Sequence, residues 1–179
     1  MALIAAALRE FVRDNDLGFC VGSAADLIPH LLVGLKLCRD ADCTGMVPFM
    51  LTRVAEVYWM AGQPSLALDR LSEAADLTEN TKERWSEAEI YRLRGSVLLS
   101  LSKTHEAEES YQRALLVARS QYARFWEIRA ATSLARLWRD QGKREEAREL
   151  LAPVYDWFTE GFDTRDLKEA KALLDELAA

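Results

Sequence analysis

The side chains from which acid–base, nucleophilic or metal chemistry could be built are few in this sequence and poorly arranged for it. Its two histidines, His30 and His105, fall in different segments of the chain, so a shared metal ion or a paired general base finds little support. Cys20, Cys38 and Cys43 are odd in number and form no CxxC unit; they read as ordinary reduced thiols of a cytoplasmic protein. Glu106 with Glu109, and Glu145 with Glu149, have the spacing of two acids on one solvated helical face, where they serve solubility. No nucleophile has an evident base. The sequence thus predicts no catalytic residue, no metal and no cofactor. What remains is recognition by charge and by rings. Arg92, Arg129, Arg136 and Arg139 carry planar, permanently charged forks that bind carboxylates in bidentate fashion.

Whether those arginines meet depends on the elements that carry them, and internal repetition supplies these. Small residues recur at a constant step of 40: Ala55, Gly95, Ala135; Ala67, Ala107, Ala147; then Ala74, Ala114 and Val154. Large residues keep the same step at Tyr58, Leu98, Trp138 and at Leu71, Tyr111, Leu151, as do Gly62, Ser102 and Gly142. The small side chains let two antiparallel helices approach closely, while the large ones fill the space between them. Gly62-Gln63-Pro64 and Gly142-Lys143 put glycine just past one helix and, in the first case, proline at the start of the next. Each repeat is therefore a predicted helical hairpin. The pattern matches the tetratricopeptide repeat (TPR), lengthened from its usual period of about 34 residues.

The predicted fold is all-α: a TPR-like α-α superhelix, a right-handed solenoid of about four helical hairpins plus a C-terminal capping helix, in a single domain over 1–179. Repeats are expected at about 45–81, 82–122 and 123–160, with helices near 45–61, 64–78, 82–101, 104–120, 124–141 and 144–159. A degenerate hairpin over 1–44 precedes them, with helices at 3–14 and about 26–38. There Asp26 is expected to act as the cap that leaves Pro29 in the first turn. The capping helix over 163–178 follows Asp163-Thr164 and is apolar at Leu167, Ala170, Leu173, Leu174 and Leu177.

With 50% hydrophobic and 29% charged residues, only 8 Gly and 4 Pro in 179 residues, the chain has the composition of an ordered globular protein. A net charge of −6 argues against nucleic acid and anionic membranes as partners. The opening apolar run ends at Arg9-Glu10 and lacks a basic lead; it is a poor signal peptide and far shorter than the ~20 residues that cross a bilayer. A cytoplasmic protein is expected.

Arg84-Trp85-Ser86-Glu87-Ala88-Glu89, Arg92-Leu93-Arg94-Gly95 and the run from Ala130 to Trp138 resemble the C-terminal tetratricopeptide region of large bacterial signalling proteins, and Leu151–Tyr155 and Phe158–Thr164 continue the likeness. Those proteins join a class III adenylate or guanylate cyclase domain, or a DNA-binding domain, to an ATPase of the AAA or STAND type. The resemblance implies a helical region that senses or scaffolds, with the chemistry lying upstream. This chain has no GxxxxGKS or GxxxxGKT phosphate loop, so neither activity carries over to it.

In such arrays the first helix of each hairpin lines a concave face. Counting from Ala55, Gly95 and Ala135, the predicted partner-binding set is Thr52, Glu56, Trp59 and Met60; Arg92, Ser96 and Leu99; and Arg129, Thr132, Ser133, Arg136 and Arg139. Its arginines suit a protein or peptide with acidic groups; alternatively they pair with Glu56, Glu89, Glu127 and Asp140 as solvated surface charges. Trp59 beside Met60 either anchors a partner or packs on the first hairpin, whereas Trp85, Trp126, Trp138 and Trp157 are assigned to the core. The leading function is a protein–protein interaction scaffold. Its rivals are a small-ligand sensor regulating an ATPase or nucleotide cyclase, and single-stranded RNA binding. Leu3, Ile4, Leu8 and Phe11 form an apolar stripe expected to cover a neighbouring hairpin, to pair with a second copy as a homodimer, or to dock on further helices.

Overall fold

The computed structural model describes residues 24–41 and 43–178. These form helices α1 (Ala24–Asp40), α2 (Val47–Met60), α3 (Pro64–Thr81), α4 (Glu87–Ser100), α5 (Thr104–Ser120), α6 (Arg124–Asp140), α7 (Arg144–Asp156) and α8 (Arg165–Ala178), with one 3-10 turn at Thr44–Met46 and no strand among the described residues. The stripe Leu3, Ile4, Leu8 and Phe11, the helix expected over 3–14, and Cys20 lie outside the described residues.

The chain divides between Glu83 and Arg84 into two compact units. In the first, α1 packs on α2 and α2 on α3, enclosing Leu35, Leu51, Val54 and Leu71. Arg39 of α1 and Arg70 of α3 converge on Glu73, the latter at 2.7 Å. In the second, α4 pairs with α5 and α6 with α7, α5 also packs on α6, and α8 packs on both α6 and α7. Its core includes Ile90, Leu93, Ile128, Leu134 and Leu151.

The small-residue columns sit where the helices cross. Ala55, Ala67, Ala107, Ala135 and Ala147 are fully buried. At Gly95 the approach is closest: a Cβ there would lie 2.6 Å from Tyr111 Cε1 and 3.1 Å from the Ala107 carbonyl oxygen. The hydrogen atom of glycine is what allows the Tyr111 ring to pack this closely on α4.

One turn geometry recurs. The N–H groups of Gln63, Lys103, Ala123 and Lys143 donate to the carbonyls of Tyr58, Leu98, Ala118 and Trp138 at 2.8–3.0 Å, and the residue before each donor is left-handed, with φ of 74° at Gly62, 61° at Ser102, 53° at Tyr122 and 81° at Gly142. This is the glycine-type helix ending in which the bond reaches back five residues. Ser102 adopts it at a position where the other two hairpins have glycine.

Helix limits follow the expectation closely at α2, α5 and α6 and depart elsewhere for local reasons. The helix expected from 82 begins at Glu87, because Lys82 is left-handed at φ 60° and ends α3 three residues later than expected. Asp26 does not cap α1: it lies inside the helix, as does Pro29. Thr164 directs its hydroxyl to the Gly161 carbonyl at 2.7 Å instead of to the first turn of α8. Two of the assigned core tryptophans are exposed, Trp85 and Trp157, since both stand at helix ends. Trp126 packs on the Ala88, Val117 and Ala118 cluster, and Trp138 donates its Nε1–H to Glu108 at 2.7 Å.

The left-handed turn makes Ser102→Gly stabilising. Relief of the side-chain penalty exceeds the entropy glycine adds to the unfolded chain, and we expect a gain on the order of 0.5–1 kcal/mol in urea unfolding. A loss of stability would mean that the Ser102 side chain contributes to the turn.

Candidate functional site

In the second unit the first helices of successive hairpins touch: α4 packs against α6, and α6 against α8. This layer carries the arginines singled out by the sequence. On α4, Glu89 is only 1% exposed and is gripped at both oxygens by Arg92, at 2.7 and 2.9 Å. Arg129 of α6 reaches the same carboxylate at 3.2 Å and, from its other side, Asp166 of α8 at 3.5 Å. Arg136 binds Glu169 at 2.7 Å. Arg139 binds Glu176 at 2.7 Å and Asp140 at 2.8 Å. Carboxylate and guanidinium groups thus alternate from α4 through α6 to α8.

Arg92 and Arg129 share the Glu89 carboxylate, Arg136 and Arg139 have separate partners, and so all four have their carboxylates already supplied. Of the surface acids considered as partners, Glu89 and Asp140 fill that role. Glu56 instead holds Arg53 at 2.7 Å, and Glu127 holds Arg119 and Arg124 at 2.9 and 2.6 Å. The acids that sequence reasoning missed are Asp166, Glu169 and Glu176 on the final helix, whose polar face had the look of a plain solvent cap. A shared step of 37 separates Arg129 from Asp166 and Arg139 from Glu176; it is the signal that this helix continues the row of first helices.

The remaining predicted residues divide by exposure. Thr52 and Thr132 are corrections: both are buried and donate their hydroxyls back to the carbonyls of Pro48 and Ile128, at 2.8 and 2.7 Å, so they face packing. Ser96, half-buried, shares a hydrogen bond with the Tyr111 hydroxyl at 3.1 Å, and Ser133 donates to the Arg129 carbonyl at 3.0 Å. Leu99 is half-buried. In the first unit, Trp59 and Glu56 are half-buried and Met60 is 55% exposed.

Burial and pairing balance differently on two of the α8 carboxylates. Burial pushes the Asp166 carboxyl above its ordinary value of 3.8, and Arg129 only partly offsets this. Glu169 is also pushed up by burial, but its hydrogen bonds from Arg136 and Arg165 prevail and hold it below 4.5. On α5, the indole hydrogen bond from Trp138 lowers Glu108, and burial raises the Tyr111 phenol.

Nothing in this arrangement resembles an acid–base dyad facing a cleft. His105 stands 3.6 Å from Glu109 on the open surface of α5, and His30 Nδ1 lies against the Asp26 carbonyl of its own helix. Among the described residues no group of three or more His, Cys, Asp or Glu could hold a metal ion, and no helix is long and apolar enough to cross a membrane.

No protein-family model matches the sequence, and no curated protein is similar to it by sequence. Solved structures are similar. Two of a kinesin-light-chain-like protein of Podosopora anserina with nearly identical TPR-like repeats superpose with TM-scores of 0.63 and 0.62, at 15% identity, over 86% of this chain and 76% and 77% of theirs. BtubC (BKLC) from P. vanneervenii superposes with a TM-score of 0.59 at 15% identity, over 98% of this chain and 85% of its own. The fold is that of TPR-like helical repeats. In these terms α4 and α6 are the first helices of two TPR-like hairpins, and α8 occupies the place of a further first helix beside them.

Asp166 permits a test by pH. A folded-state pKa above the unfolded value means that ionising this group opposes folding, so its contribution to stability falls as pH rises from about 4 through the raised value. Asp166→Asn removes that fall. Thermal melts should show the variant gaining on the wild type between pH 3 and pH 7. If it loses ground instead, the ion pair with Arg129 outweighs burial.

Proposed function

We propose that this chain is a cytoplasmic protein-interaction module of bacterial signalling, which holds a peptide or protein segment against the layer of first helices. The observation that carries this reading is the layer itself: α4 and α6 place Arg92, Ser96, Leu99, Arg129, Ser133 and Arg136 partly exposed on neighbouring helices, an array of polar and apolar groups suited to an extended segment. The signalling context rests on the likeness of residues 82–179 to the helical regions of cyclase- and ATPase-containing proteins. The TPR-like fold of the solved neighbours agrees with a scaffold role.

The ion pairs refine the expected partner. Arg129, Arg136 and Arg139 each lie against a carboxylate of α8, so an acidic segment gains their full charge only by displacing Asp166, Glu169 or Glu176. In this reading the partner meets a nearly neutral surface and is chosen by shape and hydrogen bonding, with charge secondary.

A photoreactive amino acid placed singly at Leu99 or Ser133, and for comparison at the exposed outer positions Gln112 of α5 and Glu149 of α7, tests the reading in source-cell lysate. It predicts one protein captured from both Leu99 and Ser133 and from neither outer position. Capture confined to Gln112 or Glu149, or to no position, would refute it.

A further inference from the structure

The connections between hairpins in the second unit bring a run of exposed rings to one edge. Residues 84–86 lead into α4, 121–123 join α5 to α6, and 157–164 join α7 to α8. They are neighbours in turn: Gln121 Nε2 donates to the Arg84 carbonyl at 2.9 Å, and the Arg124 guanidinium lies over the Trp157 ring, 5.1 Å from its centre. Along this edge Trp85, Tyr122, Phe125, Trp157 and Phe162 are all exposed, from 41% at Trp85 to 83% at Tyr122. Ring pairs back them, Phe125 on Trp126 at 4.9 Å, Trp157 on Phe158 at 5.3 Å and Phe162 on Tyr155 at 5.8 Å. Large rings concentrated in this way mark a binding surface more often than a solvated loop.

The charges on the edge decide what it would bind. Its arginines are engaged: Arg84 with Glu87 and Arg124 with Glu127, at 2.7 and 2.6 Å, and Arg165 with Glu169 at 2.7 Å. Asp156, Glu160 and Asp163 are exposed and, among the described residues, enter no ion pair. With Lys168 in the first turn of α8 as the one exposed cation there that enters no ion pair among the described residues, against three such acids, the net uncompensated charge beside Trp157 and Phe162 is negative, and the apolar surface on offer is the faces of aromatic rings. Both features select cations, the carboxylates by charge and the rings by their electron-rich faces.

We propose that this edge docks a basic peptide segment, with lysine or arginine stems over Trp157 and Phe162 and their charged ends on Asp156, Glu160 and Asp163. The protein makes the same kind of contact internally, with Arg124 over Trp157 and Arg129 over Phe125 at 5.7 Å. Trp157 and Phe162 lie outside the first helices, whose Arg129 meets this edge at Phe125, and the occupant is opposite in charge to the acidic segment that unpaired arginines would select.

A random-peptide phage library panned on the full chain tests this. The recovered peptides are then measured against Trp157→Ala with Phe162→Ala, against Asp156→Asn with Asp163→Asn, and against Arg92→Glu with Arg136→Glu, each checked for folding by circular dichroism. Should Trp157→Ala disturb the end of α7, Phe162→Ala alone serves. Lysine and arginine should be enriched over the unselected library, and affinity should fall at least ~tenfold in the aromatic variant and several-fold in the asparagine variant, with the arginine reversal neutral. Enrichment of acidic or uncharged sequences, no enrichment, or equal binding to the aromatic variant would overturn the proposal. Loss of binding through the arginine reversal alone would overturn it in favour of the first-helix layer.

Discussion

Two helices of a hairpin can lie against one another only as closely as the side chains at their crossing allow, and the rest of this structure depends on that approach. Alanine or glycine at 55, 95 and 135 recurs with alanine at 67, 107 and 147; all are small, Gly95 lies against the Ala107 carbonyl and the Tyr111 ring, and Tyr111 and Leu151 are buried. Close approach fixes the pitch of each hairpin, so the same left-handed ending can close α2, α4 and α6. With the hairpins of the second unit set, its first helices α4, α6 and α8 fall side by side. A larger residue at a crossing within that unit would move the layer that carries the arginines.

Charge then orders the layer. Glu87 and Glu127, a repeat apart, are each buried and held by an arginine three residues earlier, while Glu89 is held from within α4 and from α6. Such pairs add little net stability, because desolvation offsets attraction, but removing one partner strands a buried charge at a cost of roughly 3–5 kcal/mol. Their effect is to specify which helix lies beside which. Because α8 supplies Asp166, Glu169 and Glu176, it completes the layer electrostatically, and the row of guanidinium groups becomes part of the framework instead of an open anion trap. On the functions proposed above, recognition then falls to the serines and Leu99 in the layer, and to the rings along the inter-hairpin edge.

The hairpins were legible in the sequence because each crossing needs a small residue on both helices, and that demand repeats at a constant step. The left-handed turns were legible at Gly62 and Gly142, where glycine announces them, but not at Lys82 or Tyr122, where the tertiary fold imposes the same conformation on residues that disfavour it. Hence the start of α4 was misplaced. Thr52 and Thr132 went wrong because position on a helix predicts direction only to within about a quarter turn, enough to move a short side chain from surface to core. The tryptophans at 85 and 157 show the converse: an apolar ring at a helix end need not be covered. The partners of the arginines could not be read from composition, since they depend on the register between α6 and α8, which changes from the repeat's step of 40 to 37.

The most direct test of close approach as the governing constraint is the unfolding free energy of Gly95→Ala. Helix propensity alone would make this change stabilising by roughly 0.5–1 kcal/mol. The structure predicts the opposite sign, a loss of roughly 1–3 kcal/mol from overpacking against the Tyr111 ring, 2.6 Å from the new methyl group. A variant as stable as the wild type, or more so, would show that α4 and α5 do not meet at the separation on which the layer of first helices rests.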